Sequence, residues 1–349
     1  MSAYPQFLPW QQATASAWLS QRERFAHAWL IHGLPGIGKS QFALAAAASL
    51  LCEQPVQGLA CGHCTACLWL ASGNHPDIRR IRPDAIALEE GAQEAGSDED
   101  VGTSATTAKK VPSKEIRVEQ LRSLNSWFNT ATHRGGWRVA VLYPAQALNV
   151  ISANALLKVL EEPPRHTVFL LVADAPDRLL PTLVSRCRRL PLSVPDVELS
   201  VSWLEQQGLA QPSDWLSAAG GAPLLALELS RSREQACPDW LAMLAGLIAN
   251  APRADIGPVA DLLEKQPAVS WIDNLQRLFV DITLVASQEP IRYFPALSAT
   301  VGVAAARASM INLLDMNRWL AQQRAVAGHP LNPKLFIHAA LQRAVLACA

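Results

Sequence analysis

The chain has 349 residues, half of them hydrophobic and 17% charged, which is too long for one typical core and suits two or three packed domains. Thirty basic residues balance thirty acidic ones, and a pI near 7.1 argues against a protein whose own surface wraps a long run of phosphates. No stretch reaches the roughly 18 consecutive apolar residues of a membrane span, and "MSAYPQFLPWQQ" has neither the basic start nor the apolar run of a secretory signal, so no membrane is expected and the expected compartment is the cytoplasm.

In chain order, "HAWLIHGLPGIGKSQFALAAAASLLC" reads as a short apolar strand from Ala28 to Ile31, a glycine-rich turn, and an alanine-rich helix from near Lys39. That order is the phosphate-loop unit of an α/β domain. Gly33, Gly36, Gly38, Lys39 and Ser40 satisfy the pattern G-x-x-x-x-G-K-[ST] in that context. The glycines let consecutive backbone N–H groups turn inward on phosphate oxygens, Lys39 would bridge the β and γ phosphates, and Ser40 would hold magnesium. An ordinary glycine-rich turn is the bland alternative.

The seven cysteines are unevenly placed: Cys52, Cys61, Cys64 and Cys67 fall within sixteen residues, while Cys187, Cys237 and Cys348 are isolated and read as small buried hydrophobes. Four thiolates at this spacing close a tetrahedral site with no open position, so a structural zinc clip is favoured over disulfides. His63 is the substitute ligand if Cys52 points away, and reduced thiols without metal are the alternative.

Ile78 and Ile81 in "NHPDIRRIRP" suit a short strand. Asp84 to Ser113 is polar, acidic first and basic last, and most of it is expected to be a disordered surface insertion. Val118, Leu121, Leu124 and Phe128 then recur at helical spacing, followed by a buried strand "RVAVLY", a helix "NVISANALLKVLEE" stopped by Pro163 and Pro164, and a strand "TVFLLVA". Strands alternating with helices imply a mostly parallel sheet covered on both faces. From Asp196 the strand signals stop; "VSWLEQQGL", "DWLSAAGG", "APLLALELS" and "WIDNLQRLFVDITLV", with Leu275, Leu278, Ile282 and Val285 on one face, predict short helices and then a helical bundle.

Hydrolysis in a phosphate-loop protein needs an acidic residue at the end of a second strand. After "RVAVL" come Tyr143, Pro144, Ala145 and Gln146, and no carboxylate appears before Glu161 and Glu162. Those two belong to a helix end whose Leu156, Leu157 and Leu160 are core residues, and Lys158 is a candidate to face a partner or DNA.

"HAWLIHGLPGIGKS", the C-x8-C-x2-C-x2-C cluster, "NHPD", "ANALLKVLEEPP" and "PTLVSRC" stand in the order and spacing of bacterial clamp-loader subunits of the AAA+ class. The chain resembles that family most specifically over residues 20 to 235, and more weakly through "LNPKLFIHAALQRAVL". It looks like the delta-prime branch rather than the ATP-hydrolysing gamma/tau branch. Tyr143 and Pro144 stand where the motor branch has Asp-Glu, Ala173 and Asp174 where its nucleotide-sensing threonines lie, and Leu224 where an arginine would reach the γ phosphate.

The resemblance implies an AAA+ P-loop NTPase-type domain over 1–192, with its cysteine module (52–67) and insertion (84–113), a small helical lid domain over 193–240, and a helical collar over 241–349. It further implies a non-hydrolysing subunit of the DNA polymerase III clamp loader, with Arg186 of "SRC" acting as an arginine finger in a neighbour's nucleotide site. The implied partners are gamma/tau motor subunits and the delta subunit in a hetero-pentamer, the sliding clamp indirectly, and primed DNA. The implied cofactors are structural zinc and ATP or ADP bound without hydrolysis. Against the finger stands a solvated basic edge of Arg186, Arg188 and Arg189. Two other function classes are a self-sufficient ATPase of the same superfamily and a zinc-dependent nucleic-acid binder, which the neutral charge and the lack of interleaved basic and aromatic residues suit poorly.

Overall fold

The computed structural model describes residues 4–91, 111–133, 135–232, 235–250, 255–328 and 332–349. It divides into two units, Met1–Leu199 and Ser200–Ala349.

The first unit is built on a five-stranded sheet of order β2-β3-β4-β1-β5, with β1 at Ala28–His32, β2 at Ile78–Ile81, β3 at Arg138–Leu142, β4 at Thr167–Ala173 and β5 at Arg188–Pro191. Every pairing is parallel, so all five strands end on one edge. The central β1, β3 and β4 are continuous apolar runs, as a sheet covered on both faces requires. Alternate residues show the two covers. Ala28, Leu30, Ala140, Leu142, Phe169 and Leu171 pack with Leu121 and Leu124 of α5 (Val118–Phe128), with Leu156 and Leu160 of α6 (Val150–Glu161) and with Leu183 of α7 (Pro181–Arg186). On the other face Trp29 meets Trp18 of α1 (Gln12–Leu19) edge-on, and Trp18 meets Phe42 of α2 (Lys39–Leu51). The α/β sheet with helices on both faces is therefore as expected. α3 (Thr65–Ala71) starts directly after Cys64 and carries Cys67.

Three features depart from the sequence reading. α1 was not anticipated, because its sequence QATASAWL carries little amphipathic pattern. β5 has no strand signal in the sequence, where Arg188 and Arg189 figure only in the basic-edge alternative to the arginine finger: it is an edge strand on which both are exposed, and edge strands need no apolar run. Within the expected insertion, Asp84–Glu89 forms a short helix, α4, and the Ala85 N–H donates to the Ser113 carbonyl at 3.1 Å, closing the loop at its base. Residues 92–110, the bulk of that expectation, lie outside the described residues.

The second unit is helical: α8 (Val197–Gln206, entering from the first unit), α9 (Pro212–Ala218), α10 (Pro223–Ser232), α11 (Asp239–Asn250), α12 (Gly257–Leu263), α13 (Ala268–Ala286), α14 (Ser298–Arg307), α15 (Met310–Val326) and α16 (Pro333–Leu346). It holds a small apolar cluster around Leu204, Trp215 and Leu229 and a larger one centred on Trp271, Leu275, Phe279 and Ile282 of α13. Asp281 is wholly buried on α13, and its carboxylate accepts N–H bonds from Arg292, Tyr293 and Phe294 at 2.8–3.1 Å. Among the described residues no single helix is long and apolar enough to cross a membrane.

Candidate nucleotide cradle, arginine and cysteine cluster

The phosphate loop leaves β1 between two neighbours that end level with it, His32 standing opposite Ala173, the last residue of β4, and Pro191, the last of β5. A Cβ at residue 33 would lie 2.5 Å from the Leu192 carbonyl oxygen, so only glycine can pass there. Gly36 and Gly38 have φ of +76° and +87°, the left-handed region that side chains disfavour. The Ile37 carbonyl accepts from Trp10 Nε1 (3.0 Å) and Gln11 Nε2 (3.1 Å), and the Gly38 carbonyl from Gln11 Nε2 (2.8 Å). Gly38 is the N-cap of α2, which sets the positive end of that helix against the loop. The sequence-predicted Gly33, Gly36, Gly38, Lys39 and Ser40 are thus brought together as one turn.

Lys39 is 4% exposed, and its Nζ lies 2.5 Å from Asp174 Oδ1 while donating to the Leu34 carbonyl. Gln146 clasps the same aspartate twice: its Nε2 donates to Asp174 Oδ2 (3.1 Å), and its Oε1 accepts from the Asp174 N–H (3.4 Å). The register explains the meeting. Leu142, the last residue of β3, pairs with Leu171, so β4 runs two residues further, alongside β1, before reaching Asp174. Sequence reading took Asp174 only as a lost threonine; an acid directly after the strand adjoining β1 was the available signal. Burial, followed by the nearby cations Arg189 and Lys39, lowers the pKa of His32 below its usual value.

Tyr143 is 3% exposed, and its hydroxyl donates to Glu90 at 2.9 Å. Arg82 Nε pairs with the same carboxylate at 2.9 Å. Burial, then the Glu90 charge against the opposing arginines, pushes the phenol well above its ordinary range. Where a second-strand carboxylate would stand, the side chain is thus a neutral, buried phenol whose proton is committed to Glu90, and Pro144 follows it.

Arg186 ends α7. Its Nη2 lies 2.5 Å from Glu161 Oε1, with side chains 36% and 50% exposed, and its Nη1 donates to the Thr182 carbonyl at 3.0 Å. Ser185, Glu162 and Lys158 are exposed as well. Cys187 is buried, and burial raises its thiol to about 12, in keeping with a packing role; Cys348 is buried, whereas Cys237 is only partly so. Leu224 is half-buried at the start of α10 in the second unit.

The sulfurs of Cys52, Cys61, Cys64 and Cys67 all lie within 4.8 Å of one another, with Cys52–Cys64 at 3.8 Å and Cys61–Cys67 at 4.0 Å. Metal–sulfur bonds of about 2.3 Å at tetrahedral angles would set sulfurs about 3.8 Å apart, so the four can hold one metal ion. The Cys61 and Cys64 N–H groups point at the sulfurs of Cys52 and Cys61, both at 3.3 Å. Burial raises Cys67 and Cys52; burial also acts upward on Cys64, but hydrogen bonds from the Cys67 and Glu53 backbones outweigh it and bring that thiol to about 6. His63 is not part of the cluster: it is exposed, its Nδ1 is 3.0 Å from the Cys61 carbonyl, and with Cys52 turned inward no substitute ligand is needed. Between the cysteines Gly62 has φ +80°, and a Cβ there would meet the Tyr4 ring at 2.6 Å.

A family profile described as DNA polymerase III, delta subunit, matches residues 12–196. DNA polymerase III subunit delta' of Pseudomonas aeruginosa is 38% identical over 71% of this chain and 70% of its own length. The Escherichia coli subunit delta' is 33% identical over 70% of each chain. The Escherichia coli subunit tau is 32% identical over 50% of this chain and 23% of its own length. A parallel sheet with its phosphate loop between β4 and β5, a helical second unit and these similarities agree: the chain belongs to the delta-prime family of DNA polymerase III clamp-loader subunits.

Proposed function

We propose that this chain is a non-hydrolysing clamp-loader subunit that acts on ATP in a neighbouring subunit's site through Arg186. The observation that carries the reading is a contrast between two positions. β3 ends in Tyr143 and Pro144 with the phenol engaged by Glu90, so nothing there can organise magnesium and water. Arg186 meanwhile stands on the surface at the end of α7, its Nη1 on the Thr182 carbonyl and its Nη2 on the exposed Glu161 carboxylate, a partner it is free to exchange for a phosphate.

In this reading the cysteine cluster holds a structural zinc, the loop at 33–40 carries ATP or ADP without turning it over, residues 193–240 act as a lid, and 241–349 join a collar. The partners are gamma/tau motor subunits, a delta subunit, the sliding clamp through the assembly, and primed DNA.

Reconstitution with motor and delta subunits tests it. Arg186→Ala should leave folding and assembly intact and lower DNA- and clamp-stimulated hydrolysis, by on the order of 10³ at the affected site and less in total, because other sites keep their own arginines. Lys39→Ala should do much less. Steady ATP turnover by the isolated chain, abolished by Lys39→Ala, would instead make it a self-sufficient ATPase.

A further inference from the structure

We infer that the phosphate loop of this chain selects nucleoside diphosphates over triphosphates, because the Asp174 carboxylate occupies the place on Lys39 that a terminal phosphate would take. The inference rests on reading residues 33–40 as a nucleotide cradle and adds which nucleotide that cradle accepts.

A lysine of this loop reaches the β and γ phosphates. It has three N–H donors, and here one contacts the Leu34 carbonyl and another Asp174 Oδ1. The aspartate is not a side chain that happens to swing past. Gln146 fixes both its backbone N–H and its second carboxylate oxygen, and the register of β4 against β1 delivers it to the loop. Lys39 is almost wholly buried, whereas Asp174 keeps 40% of its side chain exposed. The carboxylate therefore stands at the solvent side of the ammonium, where an incoming phosphate chain would end.

A diphosphate can use the glycine-loop N–H groups, the start of α2 and the remaining lysine donor while Asp174 stays in place. A triphosphate brings further negative charge to a position already held by a carboxylate, and it must either displace Asp174 from Gln146 and Lys39 or accept the repulsion. With screening between that of water and of a partly buried site, the penalty is about tenfold or more in affinity.

The test is titration of the full chain with magnesium-ADP and with a magnesium-bound non-hydrolysable ATP analogue, for the wild type, Asp174→Asn and Asp174→Ala. The wild type should bind the diphosphate about tenfold more tightly. Both variants should tighten triphosphate binding by a similar factor while changing diphosphate binding by less than about threefold. The second variant guards against a local effect of the amide. Preference of the wild type for the triphosphate overturns the inference, as does an equal shift for both nucleotides. Weaker triphosphate binding in the variants also overturns it, since Asp174 would then be holding the nucleotide's metal. If neither wild type nor variants bind either nucleotide, the cradle itself is lost along with its selectivity, while the role of Arg186 is decided separately by the reconstituted loader.

Discussion

Arg186 and Glu161 hold each other across the ends of two helices, Nη2 to Oε1 at 2.5 Å, α7 to α6. Both side chains are substantially exposed, and such pairs contribute at most about 1 kcal/mol, so the contact orients the guanidinium more than it stabilises the fold. Glu161→Gln should accordingly change unfolding free energy by less than about 1 kcal/mol and leave clamp loading in the reconstituted assembly close to normal, whereas Arg186→Ala impairs it. Denaturant melts beside loading assays give both readings. If Glu161→Gln impaired loading as severely as Arg186→Ala, the pair would have to stay intact in the working assembly, and Arg186 would not be the residue that reaches a neighbour.

The four sulfurs within 4.8 Å lead to a prediction of about one zinc per chain, measured by elemental analysis of protein purified without chelator. Cys64→Ser should lower that content and expose the segment from Cys52 through α3, because Cys64 is both a ligand in the proposed site and the N-cap of α3. Faster hydrogen exchange confined to that segment is the expected signature. Metal-free protein with the segment fully protected would show that thiol packing alone suffices.

Asp281 offers a test away from any chemistry. Its buried carboxylate takes the N–H groups of three successive residues, Arg292 to Phe294, and removing it strands those donors. Asp281→Ala should cost on the order of 3 kcal/mol, from lost charge-assisted bonds and unpaired buried amides. A loss below about 0.5 kcal/mol would mean that water replaces the carboxylate without difficulty.

His75 is buried and accepts the Asp77 N–H on Nδ1 at 3.1 Å, so protonation there would forfeit an acceptor. Burial, against a smaller opposing pull from Asp77 and Glu53, lowers its pKa below the ordinary 6.5. A histidine whose pKa is depressed by folding contributes stability above 6.5 that is lost as pH falls, because the unfolded chain takes up the proton first. Unfolding free energy should therefore drop on going below that pH. His75→Asn keeps an acceptor and removes the titration, so its profile should be flatter than wild type by up to the slope of one proton. Identical slopes in the two proteins would rule out His75 as a source of the acid sensitivity. Protonation of the cysteines affects both proteins alike and cancels in the comparison.

The sheet's centre was legible because β1, β3 and β4 are apolar runs with no competing pattern, and the cysteine cluster because sulfur spacing alone brings Cys52 to Cys61, Cys64 and Cys67. Other parts were hidden for physical reasons. β5 contributes two exposed arginines and needs only backbone pairing to join β1. Asp174 gains its meaning from strand register, which places it on Lys39; a linear reading counts only the threonine it replaces. Glu90 reaches Tyr143 across 53 residues, most of them polar, with no local pattern to announce the contact.

The segment from Tyr4 to Gln11 ties together two places that share no chemistry. The Tyr4 ring rests on Gly62 between the cysteines, the Gln6 carbonyl accepts from Gln41 on α2 at 2.8 Å, and Trp10 and Gln11 hold the carbonyls of Ile37 and Gly38. This short lead works as a strap buckled at both ends, one end on the cysteine knuckle and the other on the glycine-rich turn before α2. Trimming the chain at Gln12 would spare every strand, every cysteine and Lys39, and yet loosen both places at once. A protein shortened in that way would pass for a mutant of two sites while carrying a substitution in neither.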